Sequence, residues 1–264
     1  MNLIDSGKRT VRRSSLAVLS RLNPGDVTIR HHYTQDPIRL HSFRHRQYWF
    51  RGRNREHATM AMFAGLVRPG DCVFDVGGHI GYITVYLAAL VGPAGSVHAF
   101  EPGDNNLPYI RGNTAHRGNI HVVPKAVGQE PGELPLFMED LTGQNNSLVR
   151  DFAGLAANER NAVRAHVVEK LVEVVSLDQY AEETGAVPDF VKIDIEGFEY
   201  EALRGAVDLL RRRRPPMMVE VQANQRAIRD LLSDLGYRLA LPDGTPLRDI
   251  PARTENIFCL PDKG

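Results

Sequence analysis

Between Cys72 and Gln222 the chain alternates short, largely apolar runs with amphipathic stretches, and no other feature constrains its fold as tightly. CVFDVG, SVHAFEP, IHVVPKAV, DFVKIDIEG and MMVEVQ have the length and the β-branched or aromatic content of strands. GYITVYLAALV, NNLPYIRGNTAHRG, YEALRGAVDLLRRR and NQRAIRDLLSDLG read as helices or helix-containing connections. Apolar strands separated by helices predict right-handed βαβ units and a doubly wound parallel sheet. YRLALPDG and NIFCLP then offer two closing strands, compatible with an antiparallel edge hairpin.

Residues 129–178 interrupt the rhythm. ELPLFMED and KLVEVVSL flank the loop LTGQNNSLVRDFAG, which predicts an inserted β-ribbon ahead of a short helix, DQYAEET. A chain of 264 residues, 42% hydrophobic, has enough apolar material for one such domain over residues 58–264. Its first helix is expected from Asn54 to Leu66, ended by Arg68-Pro69-Gly70-Asp71. Residues 1–57 lack sustained periodicity and read as a basic extension or substrate flap. They carry 12 Lys/Arg against 4 Asp/Glu, and the rest of the chain carries 20 against 28. That asymmetry suits an N-terminal segment docked on an acidic domain, or a flap that recruits an anionic substrate or a membrane surface.

No run approaches the roughly 18 apolar residues of a membrane span. The first twenty residues have basic character but only a short apolar patch and no convincing cleavage site, so a cytoplasmic location is the expectation. Cys72 and Cys259 lie in separate apolar strand-like runs, which predicts buried thiols rather than a disulfide framework.

The first strand ends in Asp75-Val76-Gly77-Gly78-His79-Ile80-Gly81, with a helical pattern immediately after. Glycines there permit a tight turn and close approach of a ligand, and a helix N-terminus offers N–H groups. The second strand ends in Phe100-Glu101-Pro102, and Glu101 lies at the spacing of a carboxylate that accepts the two hydroxyls of a ribose. The turn is G-G-x-x-G rather than the G-x-G-x-x-G of a dinucleotide site. Asp75 beside it would repel a pyrophosphate but could reach the positive end of S-adenosylmethionine.

DVGGHIGY (75–82), FEP (100–102), VPKAVG (123–128), SLD (176–178), KIDIEGFEYEAL (192–203), VEV (219–221) and NIFCL (256–260) together resemble the FkbM family of S-adenosylmethionine-dependent methyltransferases. The resemblance covers roughly residues 70–260. It implies the Rossmann-like class I methyltransferase fold, a mostly parallel seven-stranded sheet in the order 3-2-1-4-5-7-6 with helices on both faces. It also implies O-methylation of a hydroxyl on a sugar, glycolipid or polyketide-type product. Carried onto this chain, it places Asp75, Gly77, Gly78, His79, Gly81, Glu101, Ala126 and Asp194 around the methyl donor. Gly78 and His79 depart from the family's usual Ala and Asn, although a neutral His can donate and accept as an Asn does.

In DFVKIDIEGFEYEAL, Lys192, Asp194 and Glu196 alternate with Val191, Ile193 and Ile195 along an apolar strand. The resemblance places these acids at the carboxyl edge of the sheet, with Glu220 on the neighbouring strand, as the groups acting on the acceptor hydroxyl. A carboxylate there can serve as general base. Alternatively Lys192 and Asp194 form a buried ion pair, and Glu196 and Glu199 stabilise the next helix start. Asp194, Glu196 and Glu220 are also the residues that could hold Mg²⁺, but no dedicated metal pattern is visible and none is expected. His31 and His32 read as packing or surface residues. Asn145-Asn146-Ser147 reads as a polar turn that could equally contact adenine or acceptor. The expected acceptor is a small molecule or glycan and not a nucleic acid, since the fourth strand carries DIEG where amino-methylating enzymes have N/D-P-P-aromatic. A nicotinamide-dependent oxidoreductase and a non-catalytic nucleoside-binding module remain the competing readings.

Overall fold

The computed structural model describes residues 25–50, 52, 56–139, 144–150, 167–252 and 255–262. The chain enters as an antiparallel hairpin, β1 (Asp26–Arg30) with β2 (Pro37–His41), then one helical turn, α1 (Arg46–Phe50), and α2 (His57–Leu66). The central alternation follows: β3 (Cys72–Val76), α3 (Tyr82–Val91), β4 (Ser96–Phe100), α4 (Leu107–Thr114) and β5 (Ile120–Val123). A three-stranded sheet interrupts it, formed by β6 (Ala126–Val127), β7 (Gly132–Glu139) and β8 (Val167–Val175) in the order β6-β8-β7. The chain returns through α5 (Leu177–Thr184), β9 (Phe190–Ile193), α6 (Glu199–Arg204), α7 (Val207–Arg213), β10 (Met217–Val221) and α8 (Gln225–Asp234). It closes with β11 (Tyr237–Ala240), β12 (Pro246–Leu247) and β13 (Glu255–Pro261).

The main sheet runs β12-β11-β13-β10-β9-β3-β4-β5, parallel from β10 through β5 and antiparallel around β13. Apart from the two-residue edge strand β12, which makes eight strands rather than seven, this is the expected order. Strand β13 inserts between β10 and β11, so the closing pair lies within the sheet, and the hairpin partner at the edge is β12. Cys72 on β3 and Cys259 on β13 are separated by two intervening strands, and both thiols are free.

Two sequence expectations change. IHVVPKAV is not one strand: β5 stops at Val123, and Ala126 and Val127 pair with β8 in the other sheet. Pro124 has no N–H for the β5 ladder and ends it. YEALRGAVDLLRRR is not one helix either. It breaks at Gly205-Ala206, where the Asp178 carboxylate accepts from the N–H groups of Asp208 (3.1 Å) and Leu209 (2.7 Å) and caps a second helix start.

The alternation of side chains sorts the core into two layers. Phe74, Val76, Val191, Ile193 and Val219 pack under α6, α7 and α8, whereas Val73, Phe190 and Met218 face α2 and α3. Ile38, Leu40 and Tyr48 are buried in that second layer, so residues 25–50 are built into the domain through apolar contacts. Among the described residues, Asp36 of the N-terminal segment meets Arg117 (2.5 Å) and His116 (2.9 Å) of the domain. Of the segment's Lys and Arg, those up to Arg21 and Arg51, Arg53 and Arg55 lie outside the described residues. Among the described residues no helix is long and apolar enough to cross a membrane.

Candidate active site at the carboxyl edge of the sheet

The carboxyl ends of β4, β3, β9 and β10 open into a cleft of about 420 Å³. Gly77, Gly78, His79, Glu101, Ala126, Asp194, Glu196 and Glu220 all line it, so the structure brings together eight of the ten residues singled out from sequence. Asp75 and Gly81 lie behind the wall. Gly81 packs on Ile110 and Thr114. Asp75 is fully buried, its Oδ1 2.9 Å from Lys192 Nζ and its Oδ2 accepting from Thr84 Oγ1 at 2.6 Å. A carboxylate so enclosed binds its lysine rather than a ligand.

Register explains that pair. Asp75 and Lys192 are directly opposed on parallel strands, both facing the α2–α3 layer. Lys192 Nζ also donates to the carbonyls of Gly77 (2.9 Å) and Val76 (3.3 Å). Burial alone would pull the ammonium down, but Asp75 and then Asp194 reverse this and raise its pKa, keeping it charged. Asp194 is the looser partner, at 3.7 Å and with 30% of its side chain exposed. The lysine thus fastens the start of the glycine turn to the end of β9. There Gly77 is obligatory: its φ is +88° and a Cβ would overlap the Asp194 carbonyl.

The turn closes on itself. The N–H groups of Gly77 and Gly78 both donate to the Phe100 carbonyl, at 3.0 and 2.9 Å, and that of His79 donates to Glu101 Oε2 at 2.7 Å. The sequence expectation of N–H groups offered to an anion therefore does not hold for these three. Glu101 accepts further from Gly103 N–H (2.9 Å) and Asn106 Nδ2 (3.2 Å). Burial pushes its carboxyl up to about 7, and the three donors and Lys192 pull against that rise. Beyond it the cleft wall is apolar, formed by Phe100, Val127, Leu136 and Leu148.

The opposite end is acidic. Glu196, at φ +57°, and Gly197, at φ +98°, turn the chain sharply after β9. Ser147 Oγ holds the turn by donating to the Glu196 carbonyl at 2.7 Å. The Glu196 side chain faces Gln222, and Glu199 takes the local structural role, accepting from Gly197 N–H at 2.7 Å. Gln222 Nε2 donates to both Glu196 Oε2 (2.5 Å) and Glu220 Oε2 (3.0 Å). Oxygens of Asp194, Glu196 and Glu220 fall within 4.8 Å of one another. Their crowding has a titration consequence: Glu220 is raised to about 11 by Asp194 and burial, and Glu196 well above its ordinary value by burial and Asp194.

Sequence reading missed Gln222, two positions beyond Glu220, although an alternate-residue rule run past the strand end would have found it. It also passed over Gln47, Tyr48 and Gln144. Tyr48 OH lies 2.9 Å from His79 Nδ1, and Gln47 Nε2 donates to Gln144 Oε1 at 3.0 Å, joining the N-terminal segment to the inserted loop. Asn146 pairs with Asn105 (2.8 Å). His31 and His32 do not line the cleft. Burial lowers the His31 pKa to about 4 against the opposing contact of its Nε2 with the Tyr82 carbonyl, and His32 Nδ1 meets Tyr82 OH at 2.7 Å.

Sheet order, glycine turn and acid-lined carboxyl edge define a Rossmann-like fold of the class I methyltransferase type. The Methyltransferase FkbM domain profile matches residues 75–239, and the chain belongs to that family. It is 32% identical over 161 residues to the 31-O-demethyl-FK506 methyltransferase FkbM of Streptomyces tacrolimicus, covering 54% of this chain and 62% of that protein. It is 28% identical over 161 residues to Methyltransferase 1 of Beauveria bassiana, covering 53% and 60%. The matches thus span about three fifths of the length of these relatives. Among solved structures, methyltransferase FkbM from Methylobacillus flagellatus KT superposes with a TM-score of 0.47 at 15% identity, covering 80% of this chain and 60% of that one.

Proposed function

We propose that this chain is an S-adenosylmethionine-dependent O-methyltransferase acting on a hydroxyl of a sugar, glycolipid or polyketide-type product. One observation carries the choice of cofactor: the N–H groups of Gly77, Gly78 and His79 are consumed within the protein, while a buried carboxylate lies at one side of the turn and three carboxylates at the other. A pyrophosphate needs the donors that this turn no longer offers and is repelled by acids. A ribose and a positively charged sulfur suit such a site. Glu101 would hold the ribose hydroxyls and the apolar wall from Ala126 to Leu148 the base, with the acid cluster compensating the positive charge.

The bound donor supplies an electrophilic methyl group on a sulfonium. The protein's share is to hold the acceptor oxygen in line, exclude water and take its proton. Asp194 and Glu196 are the bases within reach of the acceptor end, and Gln222 fixes Glu196 and Glu220 by donating to both. The cleft lining carries carboxylates and the carboxamides of Gln47, Gln144 and Gln222 together with Lys125 and Lys192, a lining suited to hydroxyl-rich neutral molecules. Calorimetry with S-adenosylhomocysteine and with NAD tests the cofactor, and tighter NAD binding would sink the assignment. Release of S-adenosylhomocysteine across neutral glycans and natural-product alcohols tests the reaction. Donor binding without turnover on any hydroxyl acceptor would leave a binding module instead.

A further inference from the structure

We propose that Tyr48 is a positioning residue for the donor site, acting through His79, and that it makes the N-terminal segment part of the active cleft. The inference rests on the donor reading above, but Tyr48 lies well before residue 75, where the family match begins.

His79 is the turn residue at which this chain has a titratable ring. Its φ of +50° and the hydrogen bond from its N–H to Glu101 fix the backbone, not the ring. Tyr48 fixes the ring. Its hydroxyl is 2.9 Å from Nδ1, and the two rings lie nearly parallel, 20° apart with centroids at 6.0 Å. His45 closes the other side edge-on at 5.3 Å, and burial lowers the His45 pKa to about 3, so that neighbour is neutral. Tyr48 is itself held: it is 6% exposed, its ring packs 4.8 Å from Tyr82 at the first position of α3, and the hairpin before it is anchored by Ile38 and Leu40.

A phenol is a far better donor than a neutral imidazole N–H, so the bond runs from Tyr48 O–H to Nδ1 and the ring proton resides on Nε2. The turn therefore carries a histidine of set tautomer and orientation at the wall of the cleft, with its Nε2 enclosed, and the ring so held keeps the turn in shape for the amino acid end of a bound donor. Neighbouring Gln47 bonds Gln144 of the inserted loop, so the same helical turn closes the cleft on a second side.

The test is a double-mutant cycle read by calorimetry with S-adenosylhomocysteine, together with the ¹⁵N spectrum of the histidine ring nitrogens in the free protein. Tyr48→Phe keeps the ring packing and should weaken binding about 5- to 30-fold, the value of one lost hydrogen bond to a positioned group. In a His79→Asn background the same change should cost less than about twofold, because an amide needs no tautomer set. The wild-type spectrum should show an unprotonated Nδ1 that is perturbed in Tyr48→Phe. An equal loss in both backgrounds, or a proton on Nδ1 in the wild type, overturns the proposal. Wild-type protein that does not bind S-adenosylhomocysteine sinks the donor reading instead, while the ring spectrum still decides whether Tyr48 sets the tautomer.

Discussion

Lys192→Met isolates the ion pair beneath the glycine turn. The side chain is 1% exposed and its partner Asp75 is 0% exposed, so the substitution leaves a carboxylate in the core with Thr84 Oγ1 as a remaining donor. The carbonyls of Val76 and Gly77 lose a donor as well. Breaking a buried pair on one side costs about 3–5 kcal/mol. For a domain of this size that corresponds to a fall in Tm of roughly 6–20 °C. Asp194→Asn is the internal control: at 3.7 Å and 30% exposed, Asp194 is a secondary partner and its loss should cost about 1 kcal/mol or less. The double variant Asp75→Leu/Lys192→Met removes both charges and should recover most of the lost stability, because well-packed apolar replacements of buried pairs are near neutral. Differential scanning calorimetry of the four proteins decides it. If Lys192→Met melts within about 2 °C of wild type, or Asp194→Asn is equally damaging, the pairing described here is wrong.

Glu101 titrates near 7, so donor affinity should weaken as pH falls through 7, approaching tenfold per unit where the carboxyl is mostly protonated; Glu101→Gln should flatten that slope in calorimetry at pH 5.5–8.5. Because its folded pKa lies above the unfolded one, Glu101 contributes stability below about pH 4.5 that is lost as pH rises toward 7, and Tm of the Glu101→Gln variant should show less of that decline. Asp194→Asn and Glu196→Gln should each lower turnover about 10²- to 10⁴-fold with Tm little changed; full activity in both removes them from proton transfer, and activity abolished by EDTA and restored by Mg²⁺ would convert the acids into ligands. Gly77→Ala forces a Cβ onto the Asp194 carbonyl at φ +88° and should cost more than about 1 kcal/mol in urea unfolding, with donor binding lost in proportion to the displaced turn.

The sequence by itself determined the layered fold, because period-2 apolar strands alternating with helical segments admit few other arrangements. It also placed the glycine turn and Glu101 at strand ends, which chain order and spacing reveal, while the family resemblance supplied the three acids at the carboxyl edge. The break at Gly205 was less legible: the capping carboxylate of Asp178 comes from a distant part of the chain, and local helix pattern cannot report it. Charge identity was legible at Lys192 but its partner was not. Spacing along one strand suggested Asp194, whereas cross-strand register put Asp75 at 2.9 Å and left Asp194 open to the cleft. The same holds for Tyr48 and Gln222. Their positions relative to His79 and Glu196 are set by how the hairpin docks and where β10 ends beside β9, long-range contacts that are energetically decisive and carry no local periodicity. What the tertiary structure decided, then, was which polar groups face one another across strands, because that depends on register and packing between segments remote in sequence.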